Sequence, residues 1–226
     1  MEAKPEIDLV GGICPDRKDI YKQDVSIYSY TFIDIHDLDI NDLLAREPAE
    51  PDEAMLQDQI TNKTVLVTGA AGSIGSELCR QILYLKPKTL ILFDISEAAL
   101  YTIEQEIIQI GFSTDNVIPI MGSVCNRILL DRILTVYKVN TIYHAAAYKH
   151  VPLVESNQAE GVLNNSMGTL AIAESAIAAN VETFVLISTD KAVRPTNVMG
   201  ATKRVAELVL QSFAQQSNKT CFTMVR

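Results

Sequence analysis

The chain runs to 226 residues, 48% of them apolar, and carries a formal net charge of −9. That apolar content is enough for a buried core in one or two domains, and the acidic balance argues against nucleic acid as a partner. Cys14, Cys79, Cys125 and Cys221 are scattered with no CxxC pair, His36, His144 and His150 lack metal-ligand spacing, and no run approaches the roughly 20 apolar residues that cross a bilayer. The composition points to a globular chain with reduced thiols in a cytoplasmic setting, and to neither a disulfide framework, a metal site nor a membrane segment within it.

In chain order, residues 1–60 come first and hold 15 acidic and 5 basic side chains, so the acidity belongs to this segment. A short β-like run is followed there by an acidic stretch punctuated by Pro48 and Pro51, the pattern of a small appendage and linker. Within it, DINDLL is either a short helix capped by Asp39 or Asn41 or a solvated linker. A second unit, residues 61–226, begins with Lys63–Leu83 (KTVLVTGAAGSIGSELCRQIL), which reads as a buried strand, a glycine turn and an amphipathic helix. Gly69, Gly72 and Gly75 are spaced so that the backbone can turn sharply and bring a pyrophosphate to the free N–H groups of the helix N-terminus.

The next β-like run, Thr89–Phe93, ends at Asp94, 19 residues beyond Gly75. A carboxylate there can hold both hydroxyls of an adenosine ribose and repels a 2′-phosphate, which favours NAD over NADP. The competing reading of Asp94 is a cap for the following helix. Further β-like runs at Val117–Met121, Thr141–His144, Thr183–Ser188 and Cys221–Arg226 alternate with helix-like stretches, giving an α/β chain with a doubly wound parallel sheet. Ala145, Ala146 and Ala147, after the fourth strand, are small enough for a cofactor to lie against the backbone, or simply for tight packing.

Thr189, Asp190 and Lys191 should emerge at the C-terminal edge of the fifth strand, where open α/β sheets place their ligands. Pro195 and Asn197 start a helix on which Met199 and Lys203, four apart, share a face. Asp190 could alternatively cap a turn, and Lys191 could be an exposed charge.

Taken together and in this order, the glycine turn, His144–Glu155 (HAAAYKHVPLVE), Asn164–Thr169 (NNSMGT) and Ser188–Lys203 (STDKAVRPTNVMGATK) resemble the extended short-chain dehydrogenases that act on nucleotide sugars. The chain resembles in particular the bacterial UDP-N-acetylglucosamine 4,6-dehydratases of the polysaccharide-biosynthesis type, over about residues 40–226. Met199 stands where most of the superfamily has Tyr, as in the membrane-anchored subgroup. The resemblance implies a Rossmann domain in which Gly69, Gly72, Ser73, Ile74, Gly75, Asp94, Ser123, Val124, Ala145, Ala146 and Asn165 hold NAD, Asn165 as a brace between loops. Lys203 would bind the nicotinamide ribose, and Tyr148 and Lys149 would reach the substrate.

The implied reaction takes a hydride from carbon 4 of a UDP-sugar, eliminates water across carbons 5 and 6, and returns the hydride to carbon 6. Thr189 would bond the oxygen at carbon 4, Asp190 would protonate the leaving hydroxyl, and Lys191 would take the carbon 5 proton. Met199 cannot exchange a proton, so Lys191, its neighbours or a water must serve in the first oxidation. Relatives continue with a substrate lobe of about a hundred residues or more, so the chain is expected to be a C-terminally truncated core; full-length relatives are anchored in the inner membrane. A homo-oligomer pairing through the helix near Asn197 is a further implication. Two other readings stand beside the dehydratase: a UDP-sugar 4-epimerase, and an NAD-binding module without turnover.

Overall fold

The computed structural model describes residues 52–216 and 219–226, so the appendage expected over most of residues 1–60, with its DINDLL segment, lies outside the described residues. Helix α1 (Glu53–Ile60) leads into strand β1 (Thr64–Thr68), and helix α2 (Ser73–Tyr84) into β2 (Thr89–Asp94). Then come α3 (Glu97–Gln109), β3 (Val117–Met121), α4 (Arg127–Tyr137) and β4 (Thr141–His144). After β4 lie two short helices, α5 (Val151–Ser156) and α6 (Gln158–Gly161), a π-helical segment (Val162–Met167) and α7 (Gly168–Ala178). Strand β5 (Thr183–Ile187), a single 3₁₀ turn (Asp190–Ala192), the long α8 (Val198–Gln216) and β6 (Cys221–Val225) complete the domain.

All six strands are parallel in the order β3-β2-β1-β4-β5-β6. The order reverses between β1 and β4, and a crevice opens beyond the carboxyl ends of strands at such a switch point. The apolar strand runs split by parity. Leu66, Ile91, Phe93, Ile142, Phe184 and Leu186 face the helices α4, α7 and α8, while Val65, Val67, Leu90 and Leu92 face α2 and α3. Two covered faces require strands that are apolar throughout. Pro119 sits in β3, which among the described residues pairs only with β2. An edge strand tolerates the missing N–H.

Residues 53–60 extend the domain beyond the boundary expected near residue 61. Asp52 caps α1 by accepting from the Met55 N–H at 3.0 Å, and Ile60, 2% exposed, joins the core. Gln59 accepts from the Thr141 hydroxyl through its carbonyl at 2.8 Å and from the Thr183 hydroxyl through its side chain. This helix therefore closes the N-terminal ends of β4 and β5. A weakly patterned eight-residue segment with one buried anchor looks like a linker until the sheet end it covers is known.

Candidate functional site: a glycine cradle and a Thr-Asp-Lys turn

The glycine turn leaves β1 with Gly69 at φ +65°, a conformation that disfavours side chains. A Cβ on Gly69 would lie 2.6 Å from Ala146 N, and one on Gly75 would lie 1.9 Å from Gly69 O. At these two positions the turn is closed by backbone and admits no methyl group. Gly72 caps α2 without a side-chain hydrogen bond, and the first turn of α2 has no acidic residue. Its N–H groups are free for an anion.

Two clefts flank this turn. The larger, about 540 Å³, is lined by Gly69, Gly72, Ser73, Ile74 and Gly75 and, across from them, by Ala145, Tyr148 and Lys149. The smaller, about 270 Å³, is lined by Asp94, Ser123, Val124, Ala145, Ala146 and Ala147 among others. Lys149 Nζ donates to Ser73 Oγ at 3.2 Å, so a cation from the β4–α5 loop stands at the helix N-terminus. His150, Leu153, Asn157 and Glu160 of the larger cleft and Asn164 of the smaller were not singled out from the sequence.

Asp94 ends β2 with both carboxylate oxygens on backbone. Oδ2 accepts from the Ala71 N–H at 3.1 Å and Oδ1 from the Ser96 N–H at 3.0 Å. The cap of α3 is Ser96, whose hydroxyl accepts from the Ala99 N–H. Asp94 therefore helps tie the glycine turn to the end of β2, beside the Ala70 N–H that donates to Phe93 O at 3.3 Å, with its carboxylate in the wall of the smaller cleft.

Beneath the clefts runs a buried hydrogen-bond chain. Thr169 Oγ1 donates to Asn165 O at 2.6 Å, so it accepts from His144 Nε2 at 3.0 Å, and His144 Nδ1 then accepts from Thr68 Oγ1 at 2.6 Å. Burial, reinforced by the Lys203 charge, pushes the His144 pKa down to about 3, and the ring is neutral. Asn165, 1% exposed, lines neither cleft. Its Oδ1 accepts from Tyr148 N at 2.8 Å, and its Nδ2 donates to Tyr148 O and to Thr202 Oγ1, each at 3.0 Å. It holds the loop that carries Tyr148 and Lys149 against α8.

The Thr-Asp-Lys segment stands at the carboxyl end of β5. Asp190 Oδ1 accepts from Thr189 Oγ1 and from Lys191 N, each at 2.9 Å, and lies 3.5 Å from Lys191 Nζ. The Asp190 and Lys191 side chains are 86% and 52% exposed. The Thr189 hydroxyl, then the Lys191 charge, hold the Asp190 carboxyl below its usual range. As folded, the pair has the geometry of a solvated turn. Asn197 caps α8 through the Gly200 N–H at 2.7 Å, and that helix carries Met199 and Lys203, both buried, at 3% and 4% exposure. Lys203 Nζ donates to Ile187 O at 2.7 Å, and burial pushes its pKa down to about 8.

The structure thus brings Gly69, Gly72, Ser73, Ile74, Gly75, Asp94, Ser123, Val124, Ala145, Ala146, Tyr148 and Lys149 together around the two clefts. Thr189, Asp190, Lys191 and Lys203 gather at the end of β5 and line neither cleft. Among the described residues, no group of acidic, His or Cys side chains could hold a metal ion, and no helix is long and apolar enough to cross a membrane.

Residues 65–226 match the family described as polysaccharide biosynthesis protein. The capsular polysaccharide biosynthesis protein CapD of Staphylococcus aureus is 47% identical over 189 residues, covering 84% of this chain and 32% of that protein. The probable polysaccharide biosynthesis protein EpsC of Bacillus subtilis is 45% identical, covering 85% of this chain and 32% of that one. The chain therefore spans about a third of the length of these relatives. Among solved structures, Pen from Bacillus thuringiensis superposes with a TM-score of 0.69 at 32% identity, covering 74% of this chain and 52% of that one. The dTDP-glucose 4,6-dehydratase DesIV of Streptomyces venezuelae, with NAD and TYD bound, has the same fold at a TM-score of 0.62 and 24% identity, covering 71% of this chain and 55% of its own. With the glycine cradle, the six parallel strands and a match over most of its length, this chain belongs to the polysaccharide biosynthesis protein family.

Proposed function

We propose that the chain is the NAD-holding and proton-transferring core of a nucleotide-sugar 4,6-dehydratase acting on UDP-N-acetylglucosamine in surface polysaccharide biosynthesis. The observation that carries this reading is the Thr189-Asp190-Lys191 turn at the end of β5, on the same sheet edge as the glycine cradle, with a buried Met199 where a proton-exchanging phenol would otherwise stand. The residues fit the cofactor: the cradle excludes even a Cβ at Gly69 and Gly75, the N–H groups of α2 are free, and Asp94 offers a carboxylate to a ribose. Bound there, NAD supplies a hydride acceptor that can give back what it takes.

The proton steps follow from the turn. A substrate that covers Asp190 and Lys191 strips water from both charges, and burial disfavours each charged form. If the sugar oxygen at carbon 4 takes the Thr189 hydroxyl, Asp190 also loses its largest stabilising hydrogen bond. A proton then passes from Lys191 Nζ to Asp190 Oδ1, 3.5 Å away. That leaves a neutral amine and a protonated carboxyl, the base and acid that elimination needs. Lys191 takes the proton from carbon 5, the bond from carbon 6 to its hydroxyl breaks, and Asp190 gives that hydroxyl its proton. Water leaves, and the pair returns to ammonium and carboxylate.

The test is the mass spectrum of UDP-N-acetylglucosamine after incubation with the chain and NAD, where a product lighter by one water is expected. A second reading has support from the UDP-glucose 4-epimerase of Rickettsia rickettsii, 31% identical over 170 residues. An isomer of unchanged mass would establish it in place of the dehydratase. Unchanged substrate with NAD bound would leave a nucleotide-binding module.

A further inference from the structure

We infer that Glu207, with Arg226, is a positioning residue for the Thr189–Lys191 turn, a role that rests on reading that turn as the proton-transfer site. Helix α8 meets the chain leaving β5 at three successive turns. Gly200 packs so closely on Lys191 that an added Cβ would lie 2.3 Å from its carbonyl oxygen. Lys203 Nζ holds Ile187 O at 2.7 Å, and Glu207 Oε1 accepts from Ser188 Oγ at 2.7 Å. Ser188 is also fixed to β6, its N–H donating to Val225 O at 2.7 Å.

The Glu207 side chain has no exposure, and both of its oxygens are in use. Arg226 donates Nε to Oε1 at 2.9 Å and Nη2 to Oε2 at 2.7 Å, and Arg204 Nη1 donates to Oε2 at 2.8 Å. A carboxylate held by several charge-assisted bonds is a fixed post. Through Ser188 it sets the last residue before Thr189. Asp190 and Lys191 are exposed and fastened by local bonds, so the placement of the turn depends on its two ends, Ser188 on one side and the Lys191–Gly200 contact with the buried Ala192 on the other. An ion pair serving stability alone could sit on any turn of α8; this one is spent on the residue next to the turn.

Glu207→Gln leaves two guanidinium groups facing a neutral amide and can loosen the helix itself, so the deciding variant is Ser188→Ala, with Ser188→Thr as the conservative rescue. Amide hydrogen exchange is followed on the full 226-residue chain. The reporters are Ala192 and Val193, whose amides bond back within the turn, and the strand amides of Val67 and Ile142 serve as the reference. Ser188→Ala is expected to speed the turn amides about 10-fold while the strand amides stay within about twofold, and Ser188→Thr should restore the rate. Turn amides that exchange at the wild-type rate, or an acceleration shared by the strands, would overturn the inference. Product formation should fall about 10-fold in Ser188→Ala at unchanged KM. A wild-type chain that makes no dehydrated product would sink the site reading, while the exchange result still decides whether Glu207 places the turn.

Discussion

The cradle at Gly69–Gly75 and the turn at Thr189–Lys191 stand at one edge of one sheet, yet different materials make them. The cradle is backbone: a left-handed glycine, a second glycine against its carbonyl, and the peptide of Ala146 closing the other side. The turn is side chains, largely exposed, with Asp190 Oδ1 and Lys191 Nζ 3.5 Å apart. Sterics complete the first kind of site as soon as the chain folds. The second kind, on the proposed reading, is completed only by the substrate that covers it.

Substitution should separate the two. The largest effect is expected from Gly75→Ala, because the new methyl falls 1.9 Å from Gly69 O and the neighbour is backbone that cannot swing away. NAD affinity should drop by about 100-fold or more, with about 2–3 kcal/mol lost from the fold; calorimetric titration and urea unfolding measure both. Affinity within about threefold of wild type would mean that the cradle yields. Next comes Lys191→Met, expected to leave NAD affinity within about twofold while turnover falls by about 10³-fold. A parallel loss of binding would show that the two sides are one unit.

The smallest effect concerns the cost of keeping a charge under the turn. Burial holds the Lys203 pKa at about 8 against an ordinary 10.5, with Glu207 opposing. Between those values the unfolded chain retains more of this proton than the folded one, so the contribution to stability rises with pH across that window and is least favourable below about 8. Urea unfolding at pH 7 and pH 9.5 should show a rise in the wild type that exceeds that of Lys203→Met by about 1–2 kcal/mol. Equal changes in the two proteins would mean that Lys203 is solvated in solution.

The sheet, the cradle and the position of the Thr-Asp-Lys turn were legible because each rests on a local rule: apolar runs of strand length, glycines at fixed spacing, a carboxylate at the next strand end. Asp94 was legible by distance along the chain, although its two backbone partners were not. What escaped the sequence is long-range polar structure. His144 finds Thr68 across 76 positions and Thr169 across 25, and Glu207 of α8 finds Arg226 just past the end of β6. Each is an ordinary residue in its own segment, and only the packing of β4, α7 and α8 makes them a network. Helix α1 escaped for the related reason that its one anchor, Ile60, has no meaning without the sheet end beneath it.

The π-helical segment Val162–Met167 sets the phase of everything around it. Asn165 must face the Tyr148 loop, Ser166 must reach Thr202 O, and Thr169 must meet His144. An α-helix advances about 100° per residue, and a π turn takes up one residue more than an α turn. The segment acts as a tooth on a gear. Removing one residue from it would restore regular winding and rotate the preceding helices, with Leu153 and Asn157 in the cleft wall, by about 100° relative to α7.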